Sequence, residues 1–418
     1  MLQDATVIQQ DATVTQSEPT QPDKNDVEAQ LIQAFSPHAP IRTAAFFRGR
    51  SQQIREAIDA VRSEGLHVVI YGERGVGKTS LANIIADMLG GAVSASRVAC
   101  AQGDTFSSTM RRAMNGIQLV MPQSRLGFNS EAGVRRFSLL EAINQAEEWL
   151  PDELAGTLEP LNLPLVFIID EFDRIPRTEA PLFADFMKAL SDRRTLATVV
   201  LVGVAENISE LLEGHASIER NLRQIHLPRM SETELGEIVD SGMARAGFTL
   251  SGEQPRHRII VASQGFPHYT HSLALNAARA ALDTDRQLVT DDDVVRGMAE
   301  AVRRADQSHR DLYHKASTGT RAKNLWREVV AACALADHDE RGYFSSRSVQ
   351  DALGQLLERP VEQQAVAAFL GKLIGEDRGP LLQRIGPERR YRYRFVNPLM
   401  RPFILMKAMD DGLLRVEV

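Results

Sequence analysis

Residues 66–89 restrict the fold more than any other stretch of the chain. Val68-Val69-Ile70 is an apolar run of the kind that forms a buried strand. Gly72-Glu-Arg-Gly-Val-Gly-Lys-Thr79 follows and satisfies G-x-x-x-x-G-K-[ST] at every fixed position. Leu81, Ile84, Ile85, Met88 and Leu89 then recur at helical spacing. Strand, glycine-rich loop and helix in that order make a cradle for phosphate. Gly72, Gly75 and Gly77 let backbone N–H groups turn toward an anion with no Cβ in the way. The helix after them points the positive end of its dipole at the same place. Lys78 is spaced to reach β- and γ-phosphates, and Thr79 to offer a hydroxyl to Mg²⁺. Gly72, Glu73, Arg74, Gly75, Val76, Gly77, Lys78, Thr79 and Ser80 together form the candidate phosphate site.

A second stretch complements the first. Leu165 to Ile169 is an unbroken apolar run of strand length that ends in Asp170-Glu171. In open α/β sheets ligands bind at the carboxyl ends of the strands, where these two acids would emerge. Asp170 is the candidate holder of Mg²⁺, directly or through water. Glu171 is the candidate base for the water that attacks a γ-phosphate. Thr198 to Gly203 reads as a third strand, followed by Glu206 and Asn207, either of which could sense that phosphate or cap a helix. Ser96 to Cys100 reads as a further strand, with Asp104-Thr105 capping the next helix. Helices over 178–193 and 206–213 alternate with these strands, which predicts a parallel sheet covered on both faces. Glu141 to Leu150 reads as helical and Pro151 to Pro160 as a loop.

Composition adds bounds. The chain has 418 residues, 43% of them hydrophobic and 25% charged, with a net charge of −7, which suits two or three domains. No apolar run is long enough to span a bilayer, and the first residues lack a secretory pattern. Cys100 and Cys333 are far apart and without metal-ligand spacing, so a reduced, cytoplasmic protein is expected. Residues 1–28 repeat Gln-Asp-Ala-Thr-Val and hold few apolar side chains, which predicts a disordered tail.

The C-terminal half reads as helical. Ser231-Glu-Thr-Glu234 is a capping box, and Pro267 opens a helix after Gly265-Phe266. Beyond a boundary near 318–323, helices are predicted over 324–335, 345–356 and 361–374. Leu381 to Ile385 and Arg390 to Phe395 then flank Gly386-Pro-Glu as a hairpin, with a last helix from Pro398 to Met409. Three helices and a hairpin describe a winged helix-turn-helix. Residues 378–401 carry seven arginines and one acid. Strand period puts Arg390, Arg392 and Arg394 on one face, which could track double-stranded DNA or dock on acids of the same chain.

Gly72 to Thr79 with Asp170-Glu171 resembles an AAA+ P-loop ATPase. Finer details resemble the branch shared by origin-recognition initiators and STAND signalling ATPases. Phe47-Arg-Gly-Arg50 resembles the element that cradles adenine there, which marks Gly49 and Arg50. Gly265-Phe-Pro267 resembles the G-x-P element, in which the proline lies near the nucleotide. His268 stands where the initiators have a phosphate-sensing arginine. Arg220, with Arg223 as competitor, lies where an arginine finger acting in trans would. The resemblance implies an α/β P-loop sheet with a helical lid, and ATP and Mg²⁺ as cofactors. It divides the chain into a core over 29–228, a lid over 229–317 and a winged helix over 324–418. Three functions stay open: a self-assembling nucleotide switch acting on a separately encoded partner, such as a defence nuclease; a DNA-handling ATPase; and a scaffold that hardly turns ATP over.

Overall fold

A computed structural model describes residues 23–37, 40, 49–90, 93–122, 134–143, 148–203, 216–319, 325–387 and 390–414. The expectations for residues 1–22, Phe47, Arg48, Glu206, Asn207 and the helix over 206–213 lie outside the described residues.

The centre is a five-stranded parallel sheet. Its strands are β1 (His67–Tyr71), β2 (Ser94–Ala99), β5 (Leu165–Asp170), β6 (Ala197–Gly203) and β7 (Leu222–His226), in the order β2-β5-β6-β1-β7. Along the chain between β2 and β5, a separate antiparallel pair forms from β3 (Gln118–Pro122) and β4 (Val134–Ser138). The apolar runs seen in the sequence are the three central strands, and burial on both faces explains why they do not alternate with polar residues. Val68, Ile70, Val166, Ile168, Val200 and Val202 feed one core. Val69, Phe167, Ile169, Val199 and Leu201 feed the other. In-register pairing of Ile70 with Val202, and of Ile169 with Leu201, aligns the carboxyl ends of β1, β5 and β6 along one edge.

Several expectations shift. The first described helix is Lys24–Ala34, so helical chain begins inside the segment read as a tail. Asp23 caps it, and Val27, Leu31 and Phe35 form a buried stripe. The segment read as a loop after Leu150 is a helix, Pro151–Leu158. Pro151 sits at its first turn, where no amide partner is lost, and Asp152 and Glu153 face the positive dipole end. Its Leu154, Ala155 and Leu158 are buried. Only Leu139–Ala142 is helical in the described part of the stretch before it.

The helices Glu232–Arg245, Glu253–Ser263, Pro267–Leu282 and Asp291–Arg303 pack beside the sheet, with a short parallel pair, β8 (Thr249–Leu250) and β9 (Leu288–Val289). Next come helices Gln307–Ser317, Trp326–Leu335, Ser346–Leu356 and Gln363–Ile374. A three-stranded antiparallel sheet combines β10 (Phe344–Ser345), β11 (Leu382–Ile385) and β12 (Arg392–Phe395), and Met400–Asp410 closes the chain. Cys100 and Cys333 are buried free thiols. No described helix is long and apolar enough to cross a membrane.

Candidate nucleotide site

A cleft of about 390 Å³ opens at the carboxyl ends of β1, β5 and β6. Its walls hold Arg74 to Ser80, Asp170, Glu171, Arg50 and Pro267, which the sequence marked from distant positions. Gly75 and Gly77 have φ of +92° and +98°, a left-handed backbone that favours glycine. Gly72 serves close approach instead: a Cβ there would lie 2.3 Å from the Leu227 carbonyl oxygen. Val76 anchors the loop in the core.

Lys78 Nζ donates to the carbonyls of Gly72 at 2.9 Å and Glu73 at 2.8 Å. The side chain thus curls back over its own loop. Burial lowers its pKa to about 8, against the pull of Asp173, Asp170 and Glu73. A phosphate would replace the two carbonyls with a full negative charge.

Asp170 ends β5 and is buried. Its Oδ2 accepts from Arg97 Nη2 at 2.7 Å and Nε at 3.2 Å, and its Oδ1 accepts from the Glu171 amide at 2.8 Å. Arg97 comes from β2, paired in register beside β5. Glu171 turns away into a left-handed conformation, φ +54°. Its half-exposed carboxylate pairs with Arg174 Nε at 3.0 Å. Thr79 and Asp170 bring a hydroxyl and a carboxylate to one cleft, which are hard donors suited to Mg²⁺. Among the described residues no group of three or more His, Cys, Asp or Glu is placed to hold a metal.

The flanking elements meet here too. Arg50 is 3% exposed, with φ +60°. Its amide donates to Glu234 Oε1 at 3.0 Å and its guanidinium to the Pro228 carbonyl. The Gly49 amide donates to Glu237 Oε2 at 3.2 Å, away from the cleft wall. Both residues therefore fasten the chain to helix Glu232–Arg245. Pro267 starts its helix and lies 3.8 Å from where a Cβ on Gly77 would be. His268 Nδ1 donates to the Pro37 carbonyl at 2.6 Å. Arg220 and Arg223 are exposed, the first on a short turn at Ala216–Asn221 and the second on β7. Neither lines the cleft of its own chain.

The C-terminal module touches the loop from behind. A Cβ on Gly75 would sit 2.7 Å from Leu399 Cδ2. Tyr269 Oη donates to the Leu399 carbonyl at 3.0 Å. Arg229 Nε pairs with Glu73 Oε2 at 2.7 Å, and a Cβ on Gly342 would lie 2.7 Å from Glu73 Oε1. Arg401 is held below its usual pKa, at about 9, by burial and by Arg229. On the hairpin, Arg392 pairs with Asp339 at 3.0 Å and donates to the Tyr343 carbonyl at 3.1 Å. Arg394 lies 4.9 Å from the Tyr343 ring centre. These two arginines dock on their own chain, and only Arg390 of the three stays exposed without such a contact in the described structure. Arg97, Arg229 and His271 were missed in the sequence. Their partners or surroundings are distant in the chain, and only the place of His271 one turn after Pro267 was a local clue.

Residues 47–201 match the family model of the AAA ATPase domain, a span that contains the loop, Lys78, Asp170 and Glu171. No curated protein matches the chain. A Walker-type ATPase of Pyrococcus abyssi is similar in structure at 13% identity and a TM-score of 0.51, over 88% of this chain and 98% of its own. Cdc6p from Pyrobaculum aerophilum aligns over 92% of this chain and 99% of its own, at 14% identity and a TM-score of 0.46. The Orc1 protein of Aeropyrum pernix, solved in complex with DNA, aligns over 88% and 95%, at 16% and 0.45. These likenesses are of fold, and the fold is an α/β P-loop architecture.

Proposed function

We propose that the chain binds and slowly hydrolyses ATP, and that its nucleotide state sets the position of the C-terminal module. The observation that carries this is the double contact of loop 72–77. One side faces the cleft, and the other meets Leu399 and, through Glu73, Arg229 and Gly342. A loop that rearranges around phosphate cannot leave those contacts unchanged, which is the differential interaction a switch requires. In this reading Lys78 and the loop amides hold the phosphates, and Glu171, released from Arg174, orients the attacking water. Thr79 and Asp170 would hold Mg²⁺, which neutralises charge on the β- and γ-oxygens. Arg220 or Arg223, exposed at one end of the sheet, would complete a neighbour's site on self-assembly. The output belongs to a partner protein, in the manner of a STAND ATPase, with the three-helix and hairpin module acting as a winged helix.

The Arg229–Glu73 pair supplies a test. Arg229→Ala is expected to raise hydrogen–deuterium exchange at residues 337–345 and 397–401 in the ADP-bound protein, and to raise turnover at least about fivefold. Unchanged exchange at both segments would remove the docked module from the mechanism.

The second reading, a DNA-handling ATPase, rests on the basic hairpin. Of its arginines Arg392 is paired with Asp339, while Arg384 and Arg390 stay exposed. Fluorescence anisotropy with duplex DNA, run in ADP and in a non-hydrolysable ATP analogue, should show only weak binding. An Arg390/Arg392/Arg394→Ala triple variant should change it by less than about threefold. Tight, steeply salt-dependent binding lost in that variant would favour the DNA reading instead.

A further inference from the structure

We propose that His271 reads the nucleobase in the cleft, an assignment that rests on the nucleotide reading above. His271 lies one helical turn beyond Pro267 on helix Pro267–Leu282, so both share the face that lines the cleft. The side chain is nearly enclosed, 7% exposed, yet neither ring nitrogen has a hydrogen-bond partner in the described structure. Buried polar groups without partners are rare and costly, and a ligand is one way to satisfy them.

The surroundings suit a flat heteroaromatic ring. Met230, Ile238, Pro37 and Pro40 line the same cleft as His271, and the Phe35 ring meets His271 edge-on at 6.1 Å. Lys78, Asp170 and Glu171 line it too. A phosphate chain held by that charged group would leave its base to the rest of the lining, His271 included. Burial holds the imidazole pKa down at about 4, so the ring is neutral near pH 7, with one N–H donor and one lone-pair acceptor. An adenine edge can pair with either one, through a ring nitrogen that accepts or an exocyclic amine that donates, one at a time because the two imidazole nitrogens point in diverging directions. Of the nearby polar side chains, His268 is committed to the Pro37 carbonyl, while Arg50 donates to the Pro228 carbonyl and keeps a buried Nε without a hydrogen-bond partner in the described structure.

The experiment compares ATP with inorganic tripolyphosphate, which has the phosphates and no base. Binding of each is measured by calorimetry for the wild type, His271→Phe and His271→Asn. Phenylalanine keeps a ring and removes both nitrogens; asparagine keeps a donor and an acceptor. His271→Phe should lose about tenfold in ATP affinity and nothing in tripolyphosphate affinity, while the nucleotide-free protein melts no lower than the wild type. His271→Asn should recover most of the ATP affinity. In the unmutated protein, the ¹⁵N shifts of the His271 ring should move with ATP and stay with tripolyphosphate, a readout that needs no variant to fold. ATP affinity indifferent to His271→Phe, or equal losses for both ligands, would overturn the inference alone. Wild-type protein that bound tripolyphosphate and not ATP, or neither, would overturn the nucleotide reading with it.

Discussion

Lys78→Ala is expected to weaken ATP binding by about a hundredfold or more in calorimetric titration. Removing one member of a buried, charge-assisted pair costs about 2–5 kcal/mol, which spans about 30-fold to about 4,000-fold in Kd, with a hundredfold toward its lower end. The structure also predicts a pH dependence. In the free protein the Lys78 pKa lies at about 8 because burial penalises its charge. Phosphate prefers the protonated amine, so affinity should hold below pH 8 and decline as the pH rises through it. The variant should show no such decline, and it should lack the two hydrogen bonds to Gly72 and Glu73 that hold the free loop. Tight ATP binding by Lys78→Ala would sink the phosphate-loop assignment.

Glu171→Gln should do the opposite: keep ATP and stop its hydrolysis. Loss of a positioned general base costs about 10²- to 10⁴-fold in turnover. The amide retains the size of the carboxylate and cannot take the proton. The substitution also breaks the pair with Arg174, but both side chains are about half exposed, so stability should barely move. Single-turnover measurement of phosphate release, beside calorimetric ATP affinity, separates the two effects. Turnover within a few-fold of the wild type would take Glu171 out of the base role and leave the water to another group.

What could be read in the sequence follows from what phosphate chemistry demands locally. The loop at 72–79 must carry its glycines and Lys78 in fixed order, and β5 must deliver Asp170 at its end. Those elements stand where their residues imply, as do the capping box at Ser231, Pro267 at a helix start and the hairpin after Leu381. Pro151 misled because proline marks a loop and a helix start alike, and only the burial of Leu154 and Leu158 decides between them. The pairings that tune the site had no local trace. Arg97 meets Asp170 across 73 positions of chain, and Arg229 meets Glu73 across 156. Arg392 can be read either as a DNA-tracking residue or as one docked on an acid of its own chain, and only the fold names Asp339 as the partner.

The hold of Arg97 on Asp170 has a consequence for selectivity among cations. The buried carboxylate is already neutralised by a guanidinium, so an incoming ion must displace a partner that makes two hydrogen bonds. A monovalent ion would bring little charge density to that exchange, whereas a doubly charged, compact ion arriving with phosphate oxygens would gain from both sides. Under the proposed function the acid would then act as a coincidence detector: masked by Arg97 while either the ion or the polyphosphate is missing, it would become a ligand when the two arrive together.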